Sequence, residues 1–198
     1  MNGVPTMIEL FLAGVWGYLL GAVPTGVLVS RVLRGTDVRQ HGSGHTGGLN
    51  VSRVAGIWAG ALTAVVDVLL GAAAVAGATL LTDDPWAATV AGVMAVVGHD
   101  WSVFIHFGGG IGLSKLTGTL LCLAPLPALG MVVELVLFWL ILVRLLRFHR
   151  ARSTILAMVV IGPLLWALGL PLHGILLGVL GGAVIIIKTL PDWNRRYG

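Results

Sequence analysis

Two glycine-rich segments contain the residues of this chain whose types and spacing suit chemistry. The first reads Gly-Ser-Gly-His-Thr-Gly-Gly over residues 42–48, and the second reads Gly-Gly-Gly-Ile-Gly over residues 108–112. Each leads into an apolar stretch, and each is followed by a basic residue, Arg53 or Lys115. Glycines let backbone N–H groups converge, and a helix N-terminus contributes a positive dipole end. The segments therefore predict anion-binding loops for two phosphates, or for one phosphate and a developing oxyanion.

Histidines adjoin both loops. His45 lies inside the first loop, where the sequence favours a ligand-binding role. His99 precedes the second loop, and a histidine beside an anion-binding loop can accept a proton or bind phosphate. The alternative for His99 is a position at headgroup level, where Trp101 would mark the membrane interface. The histidines show no metal-ligand spacing, so the sequence predicts neither a metal nor another cofactor.

The composition indicates an integral membrane protein. Only 10% of the 198 residues are charged and 57% are hydrophobic, whereas soluble domains carry about 25% charged residues. The apolar runs are continuous, which predicts helices rather than the alternating strands of a barrel. The net charge of +4 does not indicate nucleic-acid binding, because the basic residues lie at the ends of apolar runs. No basic segment precedes the first apolar run, which argues against a cleaved signal peptide.

We predict seven transmembrane helices in a single domain, residues 1–198. The predicted spans cover residues 8–29, 54–81, 86–103, 112–125, 128–143, 155–168 and 172–187. With these spans, all 12 Lys and Arg residues fall on one side of the membrane. The positive-inside rule makes that side cytoplasmic, with the N-terminus outside and the C-terminus in the cytoplasm. Both glycine-rich loops then face the cytoplasm, at the inner or plasma membrane of the cell.

Two carboxylates lie within predicted spans, where ionisable groups are costly and are functional candidates by default. Asp67 falls near mid-membrane, where we expect it to pair with a polar group of a neighbouring helix. Glu134 lies one to two turns from the outer face and fits a structural or snorkelling role.

Several stretches together resemble the motifs of PlsY-type acyl-phosphate:glycerol-3-phosphate acyltransferases. Residues 18–26 and 37–53 are similar to the first cytoplasmic motif of that family, whose loop reads Gly-Ser-Gly-Asn-x-Gly-Ala-Thr-Asn-x-x-Arg. Gly98-His99 and residues 102–112 are similar to the second motif, Gly-His-x-Phe-Pro-Val-Phe followed by Phe-Lys-Gly-Gly-Lys-Gly. Residues 188–196 stand where the third motif is expected. The match covers nearly the whole chain, and the family's seven helices agree with the predicted topology.

The resemblance implies transfer of a fatty acyl group from acyl phosphate to the 1-hydroxyl of glycerol 3-phosphate, without an acyl-enzyme. Membrane lipids are the other implied partners; no nucleic acid is expected, and protein partners are left open. The implied catalytic residues are His99, Arg53 and Asn50. The implied substrate- and phosphate-binding residues are Ser43, Gly44, His45, Gly47, Gly108, Gly109, Gly110, Gly112, Lys115 and Arg195. Arg53→Ala is expected to abolish activity, whereas Arg150→Ala is expected to matter little.

The chain departs from the family pattern where cations are usual. Gly108 and Ile111 replace the two lysines of the second loop, and Leu70 replaces a lysine that follows the aspartate of the second helix. His45 and Asp192 stand where the family has asparagine. The departures leave two alternatives open: a relative that acylates another acceptor, or a lipid-binding protein without catalysis. A small transporter of an anionic lipid is a third, although the polar residues crowd on one face instead of crossing the bilayer.

Overall fold

The computed structural model describes residues 6–195, and the regular secondary structure of this part of the chain is helical apart from an isolated bridge between Ser102 and Gly108. Arg196, one of the basic residues predicted to be cytoplasmic, lies outside the described residues. The helices are α1 (Met7–Ala22), α2 (Thr25–Arg34), α3 (Gly48–Ala55), α4 (Ile57–Leu81), α5 (Pro85–Asp100), α6 (Leu113–Leu123), α7 (Pro125–Leu140), α8 (Arg150–Val159), α9 (Ile161–Ala167) and α10 (Leu172–Thr189). Short turns of 3-10 helix cover Val38–Gln40, Val103–Ile105 and Leu190–Asp192, and a π-helical turn, Ile141–Leu145, extends α7.

Helices long and apolar enough to cross a membrane account for only part of the predicted topology. Four stretches meet that requirement: Met7–Arg34, Ile57–Leu81, Pro125–Leu145 and Leu172–Asp192. The pair α8 and α9, bent by 44°, makes a fifth if it is one broken span. The helix α6 is apolar but has only 11 residues, and a full crossing takes about 20. The all-helical membrane class is thus confirmed, while the count of seven spans stays a prediction.

Three predicted spans are interrupted in the structure. The span 8–29 breaks after α1, because Pro24 has no N–H to donate and keeps Val23 out of the helical region. The span 54–81 starts later than predicted, since Gly56, with a φ of 98°, separates α3 from α4. The span 155–168 is two helices, because Pro163 cannot donate to the carbonyl four residues earlier.

The predicted boundary between the spans 112–125 and 128–143 is also wrong, because residues 125–127 are helical. These residues form the first turn of α7, with Pro125 at a position where its missing N–H costs nothing. The connection between α6 and α7 is therefore very tight, with Ala124 between them.

Glycines bring the central helices into backbone contact. A methyl group at Gly17 or Gly21 would lie 2.1 Å from the carbonyl oxygen of Ala91 or Ala95, so α1 and α5 touch along two turns. The helices α4 and α6 meet in the same way, since a methyl group at Gly118 would lie 2.0 Å from the Val68 carbonyl oxygen. Small residues commonly allow such close approach between membrane helices.

The two glycine-rich loops and the C-terminal turn meet at one end of this bundle. The backbone N–H of Thr46 donates to the carbonyl of Gly109 at 3.2 Å, which joins the loops directly. Nε2 of His45 lies 2.5 Å from Oδ2 of Asp192, which joins the first loop to the turn after α10. The two glycine-rich loops and the C-terminal turn therefore lie side by side.

Candidate active site

A cavity of about 370 Å³ opens at the end of the bundle where the loops meet. Its walls come from the first loop, α3, α4, the end of α5 and the start of α8. The polar and charged residues of its lining are Ser43, His45, Asn50, Ser52, Arg53, Asp67, His99, Ser114, Arg150, Thr154 and Thr189. The second glycine-rich loop contributes only Ile111 to this lining.

The first loop is folded around the side chain of Asn50. Its amide nitrogen donates to the carbonyls of Val38, His41 and His45 at 3.1, 3.0 and 2.9 Å. Its Oδ1 accepts the backbone N–H of Ser43 at 3.1 Å. Asn50 is only 2% exposed, and all of these bonds hold loop backbone. Asn50 therefore positions the loop, and the catalytic role that the resemblance implied for it stays a prediction.

The N-terminus of α3 points its first N–H groups at the cavity. Gly47, Gly48 and Leu49 begin the helix and line the cavity, and in the described part of the chain no side chain caps this helix end. The first N–H groups of any helix lack acceptors within the helix. A methyl group at Gly48 would lie 2.7 Å from the Gly60 carbonyl oxygen, so glycine lets α3 approach α4. This geometry is the one that binding of an anion requires.

Two arginines reach the same cavity from different helices. Arg53 comes from α3 and Arg150 from the start of α8, and both are exposed residues of the lining. Sequence reasoning had selected Arg53 but assigned Arg150 to a basic connection of little consequence. No local pattern identifies Arg150, because its place at the cavity depends on how α8 packs on other helices, chiefly α10.

The second glycine-rich loop uses its N–H groups differently from the prediction. The N–H groups of Gly108, Gly110 and Gly112 donate to the carbonyls of Ile105 and His99 and to Oδ1 of Asp100, at 3.2, 3.1 and 2.6 Å. These three groups are therefore engaged within the chain instead of converging on an anion. The loop packs tightly on the end of α5, which explains why glycines are needed.

Gly109 and Gly110 show how close that packing is. A methyl group at Gly109 would lie 2.2 Å from the His99 carbonyl oxygen, and one at Gly110 would lie 2.1 Å from Nε2 of His99. The loop thus forms a wall behind the His99 ring and fixes where the ring can lie.

His99 belongs to a buried polar cluster centred on Asp67. Oδ1 of Asp67 accepts the hydroxyl of Thr25, lies 3.0 Å from Nζ of Lys115 and lies 3.7 Å from Nδ1 of His99. Asp67 and His99 line the cavity and are 1% and 6% exposed. The expected pairing of Asp67 with a neighbouring helix is confirmed, and Glu134 is exposed on α7.

Lys115 differs most from its predicted place. Its side chain is fully buried and belongs to the Asp67 cluster, not to the cavity lining. A buried carboxylate needs a compensating charge, and Lys115 supplies it from the first turn of α6. A role for Lys115 in binding phosphate remains a prediction, and the geometry assigns it the support of Asp67.

The C-terminal turn packs on the first loop beside the cavity, and of residues 189–195 Thr189 alone lines it. Asp192 is 3% exposed, and its carboxylate lies 2.5 Å from Nε2 of His45 and 3.2 Å from a guanidinium nitrogen of Arg195. The Arg195 guanidinium lies beside Gly44, 3.9 Å from where a methyl group there would be. Arg195 is therefore next to the first loop, as predicted, and Asp192 is the contact that sequence reasoning missed.

An ion pair in front of the first loop ties the two loops together. The Asp37 carboxylate accepts hydrogen bonds from Arg39 at 2.7 and 3.0 Å and from Arg31 at 2.9 Å. The Arg39 guanidinium holds the pKa of Asp37 well below its usual range, and Asp37 in turn raises the pKa of Arg39. Arg39 also donates to the Ile105 carbonyl at 3.1 Å, so the pair braces the turn before the second loop.

Comparison with known proteins settles the family. The family model described as "Glycerol-3-phosphate acyltransferase" matches residues 11–196. This chain belongs to the glycerol-3-phosphate acyltransferase family. A relative from Rubrobacter xylanophilus with that name is 42% identical over 96% of this chain and 89% of its own length. A relative of the same name from Synechococcus sp. is 40% identical over 92% of this chain and 87% of its own length.

Solved structures agree with that assignment. The glycerol 3-phosphate form of PlsY (YgiH), an integral membrane glycerol 3-phosphate acyltransferase, superposes with a TM-score of 0.79 at 29% identity. Its lysophosphatidic acid form superposes with a TM-score of 0.78 at 27% identity. Each alignment covers 94% of this chain and 90% of the solved chain. The resemblance of the sequence motifs to this acyltransferase family is thus confirmed, and so is the integral membrane class.

A second, apolar cavity of about 230 Å³ adjoins the polar one in this acyltransferase fold. The two cavities share Leu49, Leu113, Trp139 and Thr154. The remainder of the apolar cavity is lined by residues of α6, α7, α8 and α9, which are Leu116, Thr117, Met131, Val132, Leu135, Val136, Ala157, Met158 and Ile161. A polar chamber that continues into an apolar one suits a molecule with a phosphate at one end and an acyl chain at the other.

Proposed function

We propose that this protein transfers a fatty acyl group from acyl phosphate to the 1-hydroxyl of glycerol 3-phosphate, releasing lysophosphatidate and phosphate. The continuity of the two cavities supports this most strongly. The acyl chain of the donor lies in the apolar cavity, and its phosphate and the acceptor meet at the boundary formed by Leu49, Leu113, Trp139 and Thr154.

Binding of the two phosphates depends on the groups that face the polar cavity. The N-terminus of α3, with the loop residues Ser43, Gly44 and Gly47, forms one anion-binding element. Arg53 and Arg150 supply positive charge to it, because charge-assisted bonds from arginine to phosphate are among the stronger polar contacts. Arg195 adds a third cation from the C-terminal turn.

Catalysis requires positioning rather than a covalent intermediate. The 1-oxygen of glycerol 3-phosphate attacks the acyl carbon, the bond from that carbon to the phosphate oxygen breaks, and phosphate leaves. The hydroxyl proton passes to His99 or to the leaving phosphate. Holding both substrates in the attack geometry, with N–H groups near the developing oxyanion, supplies most of the acceleration. Asp67 and Gly110 keep the His99 ring in place.

We also propose how the chain is oriented in the membrane. The chain crosses the membrane as seven spans in a single domain, with the short helices α5 and α6 as tilted or partial crossings. The N-terminus is outside, the C-terminus is cytoplasmic, and the active face is on the cytoplasmic side of the cell membrane. The presence of Arg53 and Arg150 in one cavity lining, with Arg195 beside the first loop, supports it, because positive charge accumulates on cytoplasmic faces.

The test is phosphate release by purified, detergent-solubilised protein supplied with palmitoyl phosphate and glycerol 3-phosphate. We expect phosphate release that requires both substrates and that is lost in Arg53→Ala. Arg144→Ala is the matched control, because Arg144 is exposed on the π-helical turn and does not line the cavity. Folded protein that releases no phosphate would overturn the proposal and favour another acceptor or a lipid-binding role, which analysis of co-purified lipids would distinguish.

A further inference from the structure

The turn after α10 docks on the first glycine-rich loop through one buried carboxylate. Oδ2 of Asp192 lies 2.5 Å from Nε2 of His45, although the two residues are 147 positions apart in sequence. Oδ1 of the same carboxylate lies 3.2 Å from a guanidinium nitrogen of Arg195. The side chain of Asp192 is 4% exposed and that of His45 is 16% exposed, so the contact is largely shielded from water.

The other side of this segment is held by α8. Nε2 of His149 lies 2.8 Å from the carbonyl oxygen of Arg195. Arg152 donates to the Trp193 carbonyl at 3.3 Å, and its guanidinium lies 5.2 Å from the centre of the Trp193 ring. Residues 189–195 therefore reach from the first loop to the start of α8, and Thr189 at the beginning of this segment lines the polar cavity.

The groups that face Asp192 reduce the repulsion between its carboxylate and a phosphate bound at the first loop. A carboxylate next to a phosphate-binding loop would repel the ligand unless cations faced it. His45 and Arg195 face the two oxygens of Asp192. The same contact keeps the Arg195 guanidinium beside Gly44, at the edge of the anion-binding loop.

We propose that His45 and Asp192 form a positioning pair that docks residues 189–195 on the first loop and places Arg195 against the phosphate of glycerol 3-phosphate. The identity of that ligand rests on the function proposed above, whereas the docking itself does not. Neither residue touches the reacting atoms, so the pair acts through Arg195 and through the shape of the loop.

The test is a double-mutant cycle of His45→Asn, Asp192→Asn and the double variant, with two measurements on each protein. The first is the split between KM for glycerol 3-phosphate and kcat. The second is backbone hydrogen exchange of residues 189–195. Each single substitution is expected to raise KM about tenfold or more, with a smaller change in kcat, because it removes one partner of a buried hydrogen bond. In the same two single variants, backbone hydrogen exchange of residues 189–195 is expected to become faster.

The double variant is the decisive member of the cycle. Two asparagines can donate to and accept from each other without charge, so KM and exchange are expected to return toward those of the parent. His106→Asn is the matched control, since His106 is exposed outside the cavity lining and its φ of 58° suits asparagine.

Three results would overturn the pair. The first is a KM of the double variant that equals the product of the two single effects, because the residues would then act independently. The second is unchanged exchange of residues 189–195 in the single variants. The third is faster exchange with an unchanged KM, which would remove the link to Arg195. If the parent protein releases no phosphate, the acyltransferase proposal fails by itself, and the exchange measurement still decides the docking.

Discussion

Asp67 on α4 and Lys115 on α6 form a buried ion pair with 3.0 Å between Oδ1 and Nζ. Both residues are almost completely buried, and His99 lies within 3.7 Å of the same carboxylate oxygen. The pair therefore couples the packing of two central helices to the placement of the candidate base.

Breaking this pair on one side should destabilise the protein strongly. Lys115→Met leaves Asp67 as an uncompensated buried charge, and losses of about 3–5 kcal/mol are typical of such changes. Replacing both partners, as in Asp67→Leu with Lys115→Met, should cost less than Lys115→Met alone, as judged by thermal unfolding in detergent. Glu134→Gln, which alters an exposed carboxylate of α7, is the control and should leave the unfolding midpoint unchanged. A double variant less stable than Lys115→Met would contradict the pairing.

Arg150 should matter to substrate binding, contrary to what its sequence position indicated. Arg150→Ala is expected to raise the KM for a phosphate-bearing substrate about tenfold, since it removes a cation from the cavity lining. Initial rates at varied glycerol 3-phosphate and at varied palmitoyl phosphate will show which substrate it contacts. Equal effects of Arg150→Ala and Arg144→Ala would remove Arg150 from the site.

Asn50 should tolerate no loss of its amide donor. Asn50→Asp keeps the shape of the side chain but sets a carboxylate against three carbonyl oxygens, so we expect kcat/KM to fall more than about a hundredfold. Gln40→Glu makes the same chemical change on an exposed residue of the same segment and should be silent. Comparable activity of the two variants would show that the Asn50 bonds do not shape the loop.

Replacing Gly110 should impair proton transfer to His99 more than it impairs substrate binding. A methyl group there would lie 2.1 Å from Nε2 of His99, so Gly110→Ala must displace the imidazole. We expect kcat to fall at least tenfold, with KM changed much less. Gly130→Ala, where the nearest atom would be 3.5 Å away, serves as the control. If KM rose while kcat stayed constant, the second loop would act on binding and not on His99.

Asp37 should make stability depend on pH at the acid end. Because the folded state lowers the pKa of this carboxyl below its ordinary value of 3.8, its contribution is complete above about pH 4 and is lost as the pH falls below that. Asp37→Asn should therefore lower the thermal midpoint at neutral pH and flatten its decline as the pH falls from about 4 toward 2. Asp83→Asn is the control in an exposed loop. Parallel pH curves for the parent and Asp37→Asn would exclude this contribution.

The helical class could be predicted because long hydrophobic runs are a local signal, and glycine clusters likewise marked both loops. The breaks at Pro24, Gly56 and Pro163 had local signals as well, but averaging over long apolar runs hid them. Contacts between side chains that are distant in sequence had no local signal. His45 and Asp192 are 147 positions apart, and their contact depends on how α10 packs.

The second loop shows a further limit of sequence reasoning. Glycines mark where a backbone approaches something closely, and the sequence does not say whether that neighbour is a ligand or the chain itself. At Gly109 and Gly110 the neighbour is the end of α5. Asp67 could be identified because a carboxylate within a membrane span is energetically unfavourable. Its partner Lys115 instead follows the second glycine-rich loop in sequence, which suggested a place in that loop's anion site.

The interlocked backbones of α1 and α5 divide the molecule into a stiff half and a compliant half. Between Gly17 and Ala91 there is no layer of side chains that could change rotamer, so these helices can only move together. The half made of α7, α8 and α9 contains a π-helical turn and a 44° bend, and it borders both cavities. We therefore expect that binding of an acyl chain displaces α7, α8 and α9 more than it displaces α1 and α5.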